Sequence, residues 1–284
     1  MIANILTFDI EGFIEAAHDS VTVPNRYVSK SLEAEEIEVN TLEILNVLAE
    51  FGQQATFFIL GRIARDMPGL VRRIAEAGHE IGCHSFNHRR LFSFGRPQVE
   101  RFLGDAKRAL EDASGQRIYG FRAPDFSITE ANLWVFDVLK ELSFEYDSSV
   151  YPTGLHDVYG MARFPRMPFR LANGLIELPM STVSIFGQNI PFGGGGYLRL
   201  YPLVLTRTLI RRANRKGEPC IVYLHPFEVG RIVPRIEELP TIRMLRTYGG
   251  VRRAKEKLRV LLREFRFMRG IDFVKANRFS EVFG

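Results

Sequence analysis

The stretch ATFFILGRIARDMPGLVRRIAEAGHEIGCHS, residues 55–85, decides the fold. ATFFIL, Ala55 to Leu60, is a continuous apolar run of strand length. Pro68 opens a helix through LVRRIAEAG that Gly78 ends, and HEIGC supplies the next strand. Strand, helix and strand in that order, with near-continuously apolar strands, make a parallel unit covered by helices.

The alternation extends both ways. Upstream, ANILTF is a short buried strand, and Thr41 caps a helix whose Leu42, Leu45, Leu48 and Phe51 recur at helical spacing before Gly52. Downstream, Val99, Phe102, Leu103, Ala106 and Leu110 stripe another helix, and IYGFR, Ile118 to Arg122, is a fourth strand. A helix over 129–142 leads to FEYD, and VLTRTLIRRANRKG precedes a strand from Cys220 to His225. The pattern predicts an α/β fold, a closed or partly closed β/α barrel. It loosens between Tyr151 and Pro202, where prolines and the run PFGGGGYLRLYP predict a hairpin or long loops over the barrel mouth. Those glycines are no phosphate loop, because no Gly-Lys-Ser/Thr follows. Near the C-terminus, RRAKEKLRVLLREFRFMR sets Ala254, Leu258, Leu261, Leu262, Phe265 and Met268 on one helical face and basic residues on the other. Packing against the barrel is the first expectation for this basic appendage, over about 250–270, and peripheral membrane association the second.

With 284 residues, 46% apolar and 25% charged, the chain is expected to form one domain over 1–284, with its core at about 4–230. A formal charge of +5 and a pI near 9.3 suit a polyanionic polymer or an anionic membrane surface, and no nucleic-acid partner is expected. Cys83 and Cys220 sit beside or inside strands and read as buried thiols. MIANILTFDIEGF reaches Asp9 too soon for a signal peptide, and no apolar run is long enough to span a bilayer, so a soluble cytoplasmic protein is expected.

In parallel α/β folds the C-terminal strand ends converge on one mouth, which selects Asp9 and Glu11, His84 and His88, Arg122 with Pro124, Asp147, and His225. HSFNH places two imidazoles four residues apart, able to share one face of a helical turn and one ion. It lacks the Glu of a zincin HExxH. A third ligand should be a carboxylate, and TFDIE offers two: along a strand Thr7, Asp9 and Glu11 point one way while Phe8 and Ile10 pack the other. Each residue also has a plain structural use. Asp9 can cap a turn, Arg122 can pair with a rim acid, Asp147 can sit in a turn, and a lone His225 can be structural.

Together, and in this order, these residues resemble the polysaccharide deacetylase family, the NodB-homology or carbohydrate esterase family 4 group, across roughly residues 4–230. TFDIE is similar to its TFDDG motif, HSFNH meets its H-S/T-x-x-H, and RAP (Arg122 to Pro124) its R-x-P. YDSS around Asp147 and the Leu224–His225 pair resemble the remaining two motifs. The region from ELPMSTVSIFG to HPFEV, with the basic LLREFRF helix, looks like the subgroup associated with bacterial exopolysaccharide production and XrtA/PEP-CTERM sorting.

The resemblance implies a distorted (β/α)7 barrel, NodB-type and TIM-barrel-like, that removes acetyl groups from N-acetylated sugars of an exopolysaccharide or its precursor. It implies a divalent ion, Zn²⁺ first with Co²⁺ or Ni²⁺ as alternatives, held by His84, His88 and an acid. Asp9 matches the catalytic base, Arg122 its orienter, and His225 the general acid, with Asp147 orienting His225. The Asp125 N–H matches the oxyanion donor, while Leu224 and Ser148 match substrate-pocket positions. The family's metal-binding Asp corresponds to Ile10, which ligates nothing. Glu11 fills that role by alternation, as in some members of the wider family; otherwise Asp9 ligates the metal or the site works without one. Ser148 stands where many members place a Trp, which implies a wider or differently formed acetate pocket. An allantoinase- or imidase-like hydrolase of a small cyclic amide and an inactive carbohydrate-binding barrel are the competing readings.

Overall fold

The structure, a computed structural model, describes residues 2–18, 27, 29–155 and 160–281. Its strands are β1 (Ala3–Ile10), β2 (Thr56–Ile59), β3 (Glu80–Cys83), β4 (Gly120–Phe121), β5 (Tyr146–Asp147), β6 (Phe169–Arg170), β7 (Ile176–Glu177), β8 (Thr182–Ile185), β9 (Gln188–Pro191), β10 (Ile221–Leu224) and β11 (Arg266–Met268). A parallel arc runs in the order β10-β1-β2-β3-β4-β5-β7, and β6 adds antiparallel to β7. This is the expected mixed α/β barrel in distorted form. Between β7 and β10 the wall is completed by the segment following β7: the Ile221 N–H donates to Ser181 Oγ (2.7 Å) and the Tyr223 N–H to the Gly193 carbonyl (2.9 Å).

Strand alternation divides the core in two. Leu6, Phe8 and Ile10 of β1, Phe57 and Ile59 of β2, and Val222 and Leu224 of β10 face outward into the layer shared with the helices. Ile5, Phe58, Tyr146, Ile176, Ile221 and Tyr223 face inward and fill the barrel. Both faces of every central strand are therefore buried, which is why these strands read as unbroken apolar runs.

Several boundaries differ from the sequence expectation. The first long helix is Lys30–Glu50, capped by Ser29, whose Oγ accepts from the Leu32 N–H. Thr41 lies buried inside it, because the apolar face already begins at Ile37 and continues through Ile44 and Val47. The helix expected over 129–142 is Val135–Glu141; ahead of it, Asn132 Oδ1 accepts from the Thr129 N–H (2.7 Å) and holds a turn. The strand expected at 118–122 narrows to Gly120–Phe121.

The hairpin expected between Tyr151 and Pro202 is β8–β9; residues 156–159 of that stretch lie outside the described residues. The helix Val251–Glu264 buries Ala254, Leu258, Leu261 and Leu262 as its stripe predicts. It is no appendage, however. The chain leaves the helix at Phe265, β11 pairs in parallel with the start of β1, and the helix Gly270–Ala276 packs Ile271 and Phe273 against the barrel interior. Glu80 Oε2 accepts from the Ile271 N–H (3.0 Å) there. The residues after 230 thus belong to the same sheet and core. Cys83 and Cys220 are buried free thiols, pushed up to about 12 by burial. No helix among the described residues is long and apolar enough to cross a membrane.

Candidate functional site

Inward alternation at the end of β1 aims Thr7, Asp9 and Glu11 into the mouth of the barrel. Glu11 is buried, with Oε2 3.1 Å from His84 Nε2 and 2.8 Å from His88 Nε2, and Oε1 3.4 Å from His225 Nε2. The two imidazoles do not share a helical turn. After β3 the backbone bends through an irregular loop with Ser85 at φ 66°, and this brings the two rings to a centroid separation of 5.5 Å.

Ligand atoms of Glu11, His84 and His88 all lie within 4.8 Å of one another. Two buried imidazoles and a buried carboxylate form a donor set suited to Zn²⁺ or a similar ion. His84 Nδ1 faces the Arg122 carbonyl at 2.8 Å, so its N–H donates there and Nε2 is left to face Glu11. Burial alone would raise the Glu11 pKa, but His88, His84 and His225 outweigh it and hold the carboxyl well below the usual range. A buried anion facing imidazoles calls for a proton or a cation among them, and the residues fit a divalent metal.

Arg122, directly after β4, is fully buried. Its Nη1 donates to Asp9 Oδ1 (2.7 Å) and Thr7 Oγ1 (2.8 Å), its Nε to the Ser148 carbonyl (3.1 Å), and its Nη2 to Ser148 Oγ (3.0 Å). The guanidinium also lies over Phe58, 4.4 Å from the ring centroid. A buried ion pair is tolerable only when its donors are satisfied in this way. Asp9 is thereby turned toward Arg122, leaving Glu11 as the acid on the imidazoles.

Three expected positions take other duties. Asp147 does not orient His225: Asp147 Oδ1 accepts from Ser149 Oγ (2.7 Å), Oδ2 from the Ser149 N–H (3.0 Å), and the carboxyl pairs with Glu177. Burial raises both carboxyls of this pair, Glu177 well above its ordinary range because the Asp147 charge adds to the effect. Ser148 clamps Arg122 and donates to the Leu178 carbonyl (2.8 Å). Leu224 faces the outer core, because alternation puts Tyr223 and His225 on the inward face instead. Asp125 stands in the turn after the RAP motif at φ 51°, with Oδ2 accepting from Arg90 Nε (2.8 Å).

The group that does meet His225 is Glu228. Its Oε2 lies 3.1 Å from His225 Nδ1 and accepts from the His225 N–H (2.9 Å), while Oε1 accepts from Arg199 Nε (2.5 Å). Burial by itself depresses the imidazolium. The Glu228 bond and charge, followed by Glu11 and Asp9, overcome it and lift His225 to about 9. Burial likewise pushes Glu228 up, but Arg199 and His225 bring it down to about 2. Glu228, Arg199 and Tyr223 were missed from sequence. Alternation from His225 would have found Tyr223, and the HPFE spacing would have suggested Glu228.

Residues 22–146 match the polysaccharide deacetylase family model, and residues 148–275 match one described as a domain of unknown function. The first match makes residues 22–146, less than half of the chain, similar to the polysaccharide deacetylases. Asp9 and Glu11 precede the deacetylase match, so the site draws on residues outside it. A chitooligosaccharide deacetylase of Sinorhizobium fredii is 42% identical over 101 residues, 33% of this chain and 47% of that protein. The chain thus spans about half or less of the length of the curated relatives it matches. The crystal structure of a Mycobacterium smegmatis protein provisionally assigned as a polysaccharide deacetylase superposes with a TM-score of 0.66 at 23% identity, covering 98% of this chain and 92% of that one. An allantoinase superposes at 0.63 with 14% identity, covering 96% and 89%. Both likenesses show the shared barrel fold.

Proposed function

We propose that this chain is a metal-dependent deacetylase that hydrolyses the acetamido group of N-acetylated sugars in a bacterial exopolysaccharide or its precursor. The observation that carries the reading is the meeting of Glu11, His84 and His88 in one buried cluster beside the Asp9–Arg122 pair and His225. The relative named as a chitooligosaccharide deacetylase supports the substrate class, and the net positive charge suits a polyanionic polymer.

Glu11, His84 and His88 would hold the ion, zinc first and cobalt or nickel as alternatives; when bound, it supplies a Lewis acid for the acetyl carbonyl and acidifies water. Asp9 takes the proton of the attacking water, its carboxylate aimed by Arg122. The Asp125 backbone N–H is the proposed donor to the oxyanion. His225, held as the imidazolium by Glu228, gives its Nε2 proton to the departing nitrogen.

The test is elemental analysis of protein purified without added metal, together with acetate release from N-acetylated oligosaccharides by the wild type and His84→Ala. Bound zinc, cobalt or nickel and turnover are expected in the wild type, and loss of both in the variant. Metal-free protein with full activity would overturn the mechanism; protein that is metal-free and inert would point to a carbohydrate-binding barrel.

A further inference from the structure

The glycine run and the C-terminal segment meet behind His225. A Cβ built on Gly195 would lie 1.8 Å from Glu228 Oε2, and one on Gly193 would lie 2.2 Å from the Ile221 carbonyl oxygen. Only glycine lets this loop lie against β10 and the carboxylate at once. Arg199, four residues beyond Gly195, is buried, and its fork is satisfied twice over. Its Nε donates to Glu228 Oε1 (2.5 Å). Its Nη1 donates to the carbonyls of Thr247 (2.8 Å) and Gly249 (3.0 Å), and its Nη2 to that of Arg246 (3.1 Å). Lys257, on the helix Val251–Glu264, donates back to the carbonyls of Leu198 (2.9 Å), Arg199 (2.9 Å) and Tyr201 (2.8 Å). Glu228 and Arg199 are 1% and 8% exposed, so neither can trade these partners for water.

Every residue in this chain of contacts falls within 148–275, the segment whose family model carries no assigned function. We propose that this segment completes the catalytic machinery: Arg199, gripped by the carbonyls of Arg246, Thr247 and Gly249, is a positioning residue that seats Glu228 against Nδ1 of His225 and so aims Nε2–H at the leaving nitrogen. The inference rests on the deacetylase reading. In the step it serves, the acetamide C–N bond breaks and its electron pair stays on nitrogen. That nitrogen takes the Nε2 proton, while water supplies the hydroxyl retained by acetate. The ring ends neutral, with Nδ1–H still bonded to Glu228. A planar guanidinium with donors in fixed directions can hold a carboxylate and three carbonyls in one geometry, which an ammonium cannot.

The experiment compares the wild type, Arg199→Met, Arg199→Lys and Glu228→Gln on two substrates, an N-acetylchitooligosaccharide and 4-nitrophenyl acetate, whose phenolate departs without being protonated. For Arg199→Met, kcat on the amide should fall about 10²-fold and on the ester less than about threefold, with KM and zinc per chain unchanged. Arg199→Lys should recover part of the loss. Equal losses on both substrates would reveal a merely structural residue and overturn the proposal, as would no loss on either. Glu228→Gln, which preserves volume, repeats the comparison if Arg199→Met does not fold. Ring-nitrogen NMR of ¹⁵N-labelled protein reads the positioning without turnover: the Nδ1–H signal of His225 is expected in wild type and lost in Arg199→Met. A wild type inert on the amide would sink the deacetylase reading alone; an unchanged His225 spectrum would sink the positioning role.

Discussion

Glu11 and Asp9 lie two residues apart on the inward face at the end of β1, and the proposed metal site gives them opposite roles that a zinc titration separates. Glu11 faces His84 and His88 at 3.1 and 2.8 Å, while Asp9 is bonded by Arg122 at 2.7 Å. Glu11→Gln keeps the shape but removes the anionic ligand; Asp9→Asn removes a charge from the neighbouring pair and leaves the ligand set whole. Zinc at about 100 times its dissociation constant stabilises a protein by about 2.7 kcal/mol. In a chain of 284 residues that raises Tm by roughly 4–5 °C. Calorimetry on chelator-stripped protein, with and without zinc, should show that rise in the wild type and in Asp9→Asn, and less than about 2 °C in Glu11→Gln. Asp9→Asn leaves Arg122 without its anion and costs about 3 kcal/mol of stability, so each variant is compared with its own zinc-free melt. A full zinc-induced rise in Glu11→Gln, or none in Asp9→Asn, would refute the assignment of the ligand acid.

Two further outcomes follow from packing and charge. His79 is 4% exposed and lowered to about 4, chiefly by burial and then by Arg269; its Nδ1 accepts from the Ala55 N–H. The unfolded chain therefore binds the extra proton between pH about 6.5 and about 4, and stability falls by about 3 kcal/mol as the pH drops through that window. Urea unfolding at the two ends of the window should show this loss diminished in His79→Gln, and an identical pH dependence in the variant would count against it. Gly195→Ala should displace the Glu228 carboxylate and lower amide turnover at least about tenfold. Gly196→Ala, whose added Cβ meets nothing closer than Arg199 Nη2 at 3.8 Å, should leave turnover near wild type; comparable rates in the two variants would contradict the close approach.

Much of the barrel was legible because strand alternation is a local steric rule. Thr7, Asp9 and Glu11 on one face and Phe8 and Ile10 on the other follow from backbone pleat alone, and the structure keeps that division. The same rule, applied back from His225, argues against Leu224 as a lining residue. HSFNH brought its histidines together through a loop with a left-handed Ser85 rather than a helical turn, so the pairing survived although its geometric reason did not.

Residue pattern alone, read through side-chain period and strand length, thus established the parallel α/β barrel, the inward acids of the first strand and the buried thiols. Partnerships across the fold were settled only when the chain closed up. Asp147 turned to Glu177, and Glu228 took its place on His225 with Arg199 behind it. The physical reason is range. Alternation is set by covalent neighbours, whereas a buried charge takes whichever counter-charge folding brings within hydrogen-bond reach, and residues 199 and 247–249 arrive there from distant parts of the chain.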